Sequence, residues 1–268
     1  MLCNLFFRFI YVIKNSAVSE KLVLNEKYIA FKSYLESVPE LFDSMGTSIY
    51  EGRNIVRVVE KDGIRFTIKY FRKIVFLNKF IYAHIRKSKA QRSYENSVKL
   101  VSKGVTSPEP IAWINCYSNL LLNRSYYISL FTDYSPLEEV FKQPAHQNSD
   151  LIRDFAHFSY TLHKKGIFHK DYNVTNVLFS LNNGVVDFSF IDNNRMKFSK
   201  YSYIKGIRNM RRLTVGAYHM GIIAAEYAKS VDKLDILVLN DLTTTRVKFL
   251  KKYLFKRELK QKIRKLFF

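Results

Sequence analysis

Cysteine is scarce in this chain: two in 268 residues, Cys3 and Cys116. Two cysteines without a CxxC spacing exclude a disulfide scaffold and a four-cysteine zinc site, and they fit a reducing compartment, the cytoplasm. Glycine (9) and proline (5) are too few for a collagen-like or low-complexity chain. Acidic side chains are short as well, 23 Asp+Glu against 44 Lys+Arg, for a formal balance of +21. No apolar run reaches the ~18 residues of a membrane-spanning helix. The opening segment MLCNLFFRFIYVIK is hydrophobic, yet it lacks a basic start, is interrupted by Arg8 and is followed by no small-residue cleavage site. It is expected to belong to the folded protein, as a helix packed on the core or an edge touching a membrane.

What is present is apolar mass. Hydrophobic residues make up 47% and aromatics 15%, enough for a core and too many for a disordered chain. The length suits one large domain or two small lobes. A charge of +21 calls for an anionic partner: nucleic acid, a phospholipid surface or a phosphorylated sugar.

The apolar period changes along the chain. Over residues 17–42 the spacing of Leu22, Tyr28, Ile29 and Leu35 predicts helix, an N-terminal helical extension over residues 1–45. From Gly46 to Phe71 the alternation predicts strands, with Lys61-Asp62-Gly63 as a hairpin turn between β-branched runs. Residues 86–103 predict a helix stopped by Gly104, and Ile111–Ile114 and Tyr126–Phe131 predict strands. An amphipathic helix is expected over residues 149–165, capped by Ser149 and Gly166. A hairpin through Asn182-Asn183-Gly184 follows, and helix from Lys205 on. Strands first and helices later give an α+β, two-lobed chain rather than an alternating parallel sheet: a small antiparallel β-sheet lobe over residues 46–131 and a mainly helical lobe over residues 132–268.

The informative stretch is His169-Lys170-Asp171-Tyr172-Asn173-Val174-Thr175-Asn176. It matches H-x-D-x-x-x-x-N, the catalytic loop of the protein-kinase-like fold. Phosphoryl transfer needs a carboxylate beside the acceptor hydroxyl, to orient it and take its proton, and an amide oxygen five residues on for magnesium. A polar surface loop with an Asx turn at Asp171 would carry the same residues. The rest of the set, in order along the chain, argues against that reading. Asp192 follows Asn176 by sixteen positions, at the end of a β-like run, where a metal-binding carboxylate belongs. Asp187, in Asp187-Phe188-Ser189, imitates Asp-Phe-Gly but lies inside the strand, so Asp192 is preferred. Lys69 stands on the last strand of the first hairpin, in position to pair with nucleotide phosphates, with Glu95 on the next helix as its expected partner. Otherwise Lys69 snorkels to solvent, and Glu95 pairs with Lys99 on a solvated face. Glycines are fewer than a phosphate-binding loop usually has: Gly46, and Gly52 in Gly52-Arg53-Asn54, which serves either as phosphate-approaching backbone or as a plain β-turn.

From about Gly46 to about Phe198 the sequence resembles the lipopolysaccharide core kinases, enzymes of the protein-kinase-like superfamily that phosphorylate Kdo or heptose sugars. The resemblance rests on Ile191-Asp192-Asn193-Asn194-Arg195, similar to the family's Ile-Asp-x-x-Arg, on Tyr94-Glu95-Asn96, and on Thr106-Ser107-Pro108-Glu109-Pro110. It implies a bilobal protein-kinase-like fold and ATP-dependent transfer to a sugar hydroxyl of the inner core. By the same resemblance Asp171 is the catalytic aspartate, Asn176 and Asp192 are the magnesium ligands, and Lys69 with Glu95 is the nucleotide pair. The chain departs from the ordinary kinase pattern by Lys170 in place of Arg and by lacking an Ala-Pro-Glu segment and a long activation loop. An acceptor other than lipopolysaccharide, or a non-catalytic pseudokinase, is the alternative.

Residues 246–268 hold ten Lys/Arg and one Glu, with apolar residues recurring at Val247, Leu250, Leu254, Phe255, Leu259, Ile263 and Leu266. That is the pattern of a basic amphipathic helix, which either lies on an anionic membrane surface, here the inner face of the cytoplasmic membrane, or packs on the helical lobe. A nucleic-acid-binding module is disfavoured, because the basic residues follow no recognised nucleic-acid fold.

Overall fold

The computed structural model describes residues 8–15, 18–72 and 74–267. The chain divides into two compact units, Met1–Asp133 with Ser189–Arg195, and Tyr134–Phe188 with Met196–Phe268.

The first unit is built on one seven-stranded sheet. Its strands are β1 (Arg8–Asn15), β2 (Val18–Asn25), β3 (Thr47–Glu51), β4 (Ile55–Lys61), β5 (Ile64–Tyr70), β6 (Pro110–Ser118) and β7 (Leu121–Leu130). They run in the spatial order β1-β2-β6-β7-β5-β4-β3, each neighbour antiparallel. The β4–β5 hairpin turns at Asp62-Gly63, both at positive φ (52° and 74°), as a two-residue hairpin turn that follows the twist of the strands requires. Short helices α1 (Lys32–Glu36) and α2 (Val38–Leu41) lead into β3, and α3 (Phe76–His84) and α4 (Lys89–Ser102) lie between β5 and β6.

The helix expected over residues 17–42 is corrected in its first part: Val18–Asn25 is strand, paired with β1 and β6, and helical turns begin only at Glu26. The physical reason is that both faces of this strand are covered. Leu22 and Leu24 enter one core cluster with Phe66, Ile114 and Ile128, while Val23 enters another with Phe71, Tyr94 and Trp113. With apolar residues on both faces, the period of two vanishes from the sequence. Residues 1–45 are therefore no separate helical extension, since β1 and β2 complete the sheet. Of the hydrophobic N-terminal segment, Arg8–Asn15 is an edge strand rather than a helix, and residues 1–7 lie outside the described residues. Burial in this sheet pushes the Cys116 thiol well above its ordinary pKa, with Glu20 adding to the shift, so it stays an unreactive thiol.

The second unit carries β8 (Ser135–Pro136), α5 (Leu137–Lys142), α6 (Ser149–Lys164), β9 (Ile167–His169), β10 (Val177–Asn182), β11 (Val185–Phe190), β12 (Met196–Phe198), α7 (Tyr203–Met210), α8 (Ala217–Val231) and α9 (Asp235–Phe267). The last two residues of β11 already belong to the first unit. Ser149 opens α6 as its first residue without capping it, and Gly166 closes it at φ 72°. A Cβ on Gly166 would stand 2.4 Å from the Ser199 carbonyl oxygen, so only glycine lets the chain turn here against β12's exit.

The core of this unit is aromatic. Phe155 stacks on Tyr172 at 5.9 Å and meets Phe188 edge-on. His163, 1% exposed, stacks on Phe168 and shares a 2.9 Å hydrogen bond from Nδ1 with the Tyr227 hydroxyl. Burial pulls its pKa from the ordinary 6.5 down to about 3. The folded state thus holds His163 neutral, while the unfolded chain protonates it below about 6.5. Its contribution to stability is complete above that pH and is lost as pH falls toward about 3, at up to about 1.4 kcal/mol per pH unit. Urea denaturation of the wild type is expected to show this added slope between pH 6.5 and 4, and His163→Gln to flatten it.

Candidate active site

In the first unit the site is built around β5. Lys69 is the last residue but one of β5, opposite Val56 of β4 and Tyr127 of β7. Its Nζ lies 2.5 Å from Asp192 Oδ1, joining residues 123 positions apart, with side chains 17% and 25% exposed. Asp192 follows β11 at φ +61°, a left-handed conformation that Asp tolerates better than most side chains. Such an outlier persists only where its surroundings hold it.

The hold comes from the next residue. The Asn193 side chain donates through Nδ2 to Ser97 Oγ and Ser107 Oγ, each at 2.8 Å, and its carbonyl accepts from Asn96 Nδ2 at 2.6 Å. Asn194 Nδ2 donates to the same Oδ1 of Asp192, at 2.7 Å. Ser97 also accepts from the Tyr127 hydroxyl at 3.0 Å, which ties the clamp back to β7. The two outlying strings of the sequence resemblance thus acquire a physical meaning: Asn96 and Ser107 are what Asn193 is fastened to. Ser97, which no motif marks, completes the clamp.

Glu95 was expected to hold Lys69. Lys69 bonds the Asp192 carboxylate, and Glu95 accepts from Lys87 Nζ (2.7 Å) and Gln91 Nε2 (3.1 Å). Lys87 and Gln91 are local to the start of α4 and reach Glu95 along its own helix face. A further cation, missed from the sequence, is Lys89 at the first position of α4. Phe71 lies beneath both lysines, 5.5 Å from Lys69 Nζ and 5.7 Å from Lys89 Nζ. Half-burial pulls the Lys89 pKa below its ordinary range; Asp192 opposes that shift, and Arg195, Arg53 and Arg92 add to it. Arg53 of the β3–β4 turn therefore shares this electrostatic neighbourhood. In that turn Gly52 N–H donates to Asn54 C=O at 2.9 Å. Gly46 has a different role. At φ +47°, with Val58 C=O 2.0 Å from where its Cβ would be, it lets the backbone enter β3 against β4.

In the second unit the site is the segment after β9. Asp171 N–H donates to His169 Nδ1 at 3.2 Å, and Asn176 Nδ2 donates to the Asp171 carbonyl at 2.9 Å, closing the loop on itself. Tyr172 is buried, its hydroxyl 2.6 Å from Ser159 Oγ. Asn173 Oδ1 accepts from Val174 N–H, Thr214 N–H and Thr214 Oγ. With the backbone pinned at four places, the Asp171 carboxylate remains a third exposed and accepts from Arg212 Nη1 at 2.9 Å. Arg212 was not anticipated. It comes from beyond α7, 41 residues on, and lies over the Phe249 ring of α9 at 4.8 Å. Asp187 accepts from the Tyr134 hydroxyl at 2.7 Å. Among the described residues no three His, Cys, Asp or Glu gather into a group able to hold a metal ion by themselves.

An antiparallel sheet with its lysine and helix, followed by a mainly helical unit carrying the His-x-Asp loop, defines a protein-kinase-like fold. Among solved structures the chain is similar to WaaP, described in complex with acyl carrier protein, at 15% identity over 86% of this chain and 97% of that one, with a TM-score of 0.57. It is also similar to Rio2 kinase from Chaetomium thermophilum, in its ADP/Mg2+-phosphoaspartate complex, at 15% identity over 91% of this chain and 82% of that one, with a TM-score of 0.45. No family model matches the sequence, and no curated protein matches it either.

Because one buried amide orients the whole 192–194 segment, Asn193→Ala is expected to cost about 1–3 kcal/mol, the usual range for leaving buried polar partners unsatisfied. A drop in the urea midpoint at unchanged m-value checks this; an unchanged midpoint would show that the clamp does not bear on stability.

Proposed function

We propose that this chain is an ATP-dependent phosphotransferase acting on a sugar hydroxyl of lipopolysaccharide inner core, Kdo or heptose. The observation that carries the phosphotransferase reading is the Lys69–Asp192 pair, a strand lysine and a carboxylate in a held, left-handed backbone. The family resemblance of the motifs supports the acceptor class. The likeness to WaaP, at 15% identity, supports the fold that this reading needs.

In this reading Lys69 holds the nucleotide phosphates and the Gly52-Arg53-Asn54 turn approaches them through the Arg53 guanidinium, the Gly52 N–H being taken by Asn54 C=O. Asp171 orients the acceptor hydroxyl and takes its proton as the oxygen attacks the γ-phosphorus and ADP leaves. The chemistry of the two expected ligands, an amide oxygen and a carboxylate, suits magnesium. Asn176 commits its amide nitrogen to the Asp171 carbonyl, which leaves the oxygen as its metal-binding end, and Asp192 supplies a carboxylate. Magnesium is usually held by one or two such side chains together with substrate phosphates, so a full protein cage is not needed. When bound, it neutralises charge developing on the transferred phosphoryl group.

The basic helix supports a site of action at an anionic membrane surface. Val247, Leu250, Leu254, Phe255, Leu259 and Ile263 of α9 are exposed beside its lysines and arginines. Each basic residue near such a surface contributes about 1 kcal/mol. Among the described residues no helix is long and apolar enough to cross a membrane, so contact would be peripheral.

Incubation with Mg2+, labelled ATP and purified core lipid is expected to transfer label. Asp171→Ala should lower transfer by about 10²–10⁴-fold, the range for loss of a general base, with an unchanged circular dichroism spectrum. Asp192→Ala should instead weaken Mg-nucleotide binding. Nucleotide binding without label transfer to any core acceptor would refute the acceptor class.

A further inference from the structure

Beside the His-x-Asp loop, wholly within the second unit, lies a cavity of about 320 Å³. That is near the lower end of the ~300–1,000 Å³ typical of small-molecule sites. Six cationic side chains line it: Lys170, Lys197, Lys205, Arg208, Arg211 and Arg212. No acidic residue is among its lining residues. The crowding is unfavourable as it stands. Burial lowers the pKa of Arg211, and Arg212 and Arg208 lower it further. Cations clustered in a cavity whose lining holds no carboxylate ask for one kind of guest, an anion rich in acceptor oxygens.

We infer that this cavity binds a phosphate monoester carried by the acceptor itself, so that the enzyme acts on a sugar that is already phosphorylated. Arg212 makes the connection. Its Nη1 bonds the Asp171 carboxylate while its guanidinium lines the cavity. A phosphate seated there holds its sugar next to the carboxylate that serves the reacting hydroxyl, and the class of reaction that supplies the substrate is an earlier phosphorylation. The Phe249 ring of α9 lies within reach of both guanidinium groups, 5.3 Å from that of Arg211 and 4.8 Å from that of Arg212. Arg–phosphate recognition is bidentate and charge-assisted, which suits adjacent guanidiniums better than scattered lysines. The role of the site rests on the proposed transfer reaction; its binding property does not.

The test uses the full chain and two readouts. Glucose 6-phosphate, with glucose as control, is titrated by calorimetry without ATP. Saturable binding of the phosphorylated sugar alone is expected, weakened at least tenfold in Arg208→Gln/Arg211→Gln. Lys197→Gln/Lys205→Gln serves as a second variant should the arginine pair disturb folding. In the transfer assay, the KM for core lipid should rise at least tenfold in the variants and on phosphatase treatment of the lipid, while the KM for ATP stays the same. Vesicles of phosphatidylglycerol separate the two sources of phosphate. Loss of vesicle binding in the variants with unchanged glucose 6-phosphate binding would make this a lipid-headgroup site and overturn the inference. Equal affinity of wild type and variants for glucose 6-phosphate would overturn it too. Phosphate-dependent binding in a protein that transfers no label would leave the cavity assignment standing and refute the transfer reaction alone.

Discussion

An ammonium and a carboxylate held 2.5 Å apart in a mostly buried position hold together only if both are fixed by something else. Removing two charges from water costs several kcal/mol per ion, and their attraction offsets this only in good geometry with the remaining valences satisfied. Lys69 is fixed by the central β5 strand, which has neighbours on both sides. Asp192 has no such support from its own backbone, which is left-handed. It is fixed through Asn193, whose amide and carbonyl use Ser97, Ser107 and Asn96. The pair therefore depends on α4 packing against the sheet, and the buried Tyr94 and Ser97 face of that helix is where the dependence lies.

The second unit solves a different problem, that of exposing one carboxylate on a loop that does not move. Its answer is local. The Asp171 amide and carbonyl are both used within the loop, Tyr172 is buried as an aromatic anchor, and Asn173 accepts three donors. Such a loop loses little on substitution of its one exposed group, because no packing hangs on it. Arg212 adds a charge that faces Asp171 and the cationic cavity together, so a single side chain joins the loop carboxylate to the cavity.

Cationic residues recur in both units. Lys89, Arg53, Arg92 and Arg195 share the surroundings of Asp192, and six more line the cavity beside Asp171. A balance of +21 thus has specific addresses as well as a solvated helix, α9. Charge of one sign gathered in excess of the carboxylates beside it is destabilising to the free protein, so its presence speaks for ligands that carry the opposite sign.

The chain's own order determined the hairpin at Asp62-Gly63, the helix ending at Gly166 and the His169–Asn176 loop, because each is made by residues within a few positions of one another. Composition likewise fixed the net charge of +21. Only tertiary structure decided that Val18–Asn25 is strand, since a segment covered on both faces shows no period to read. Only it decided that Asp192 bonds Lys69, that Asn193 is the clamp, and that Lys89 and Arg212 stand beside the two aspartates. A lysine, an asparagine or an arginine looks the same at any position in a basic sequence; what distinguishes it is the partner, and these partners lie from about forty to more than a hundred residues away.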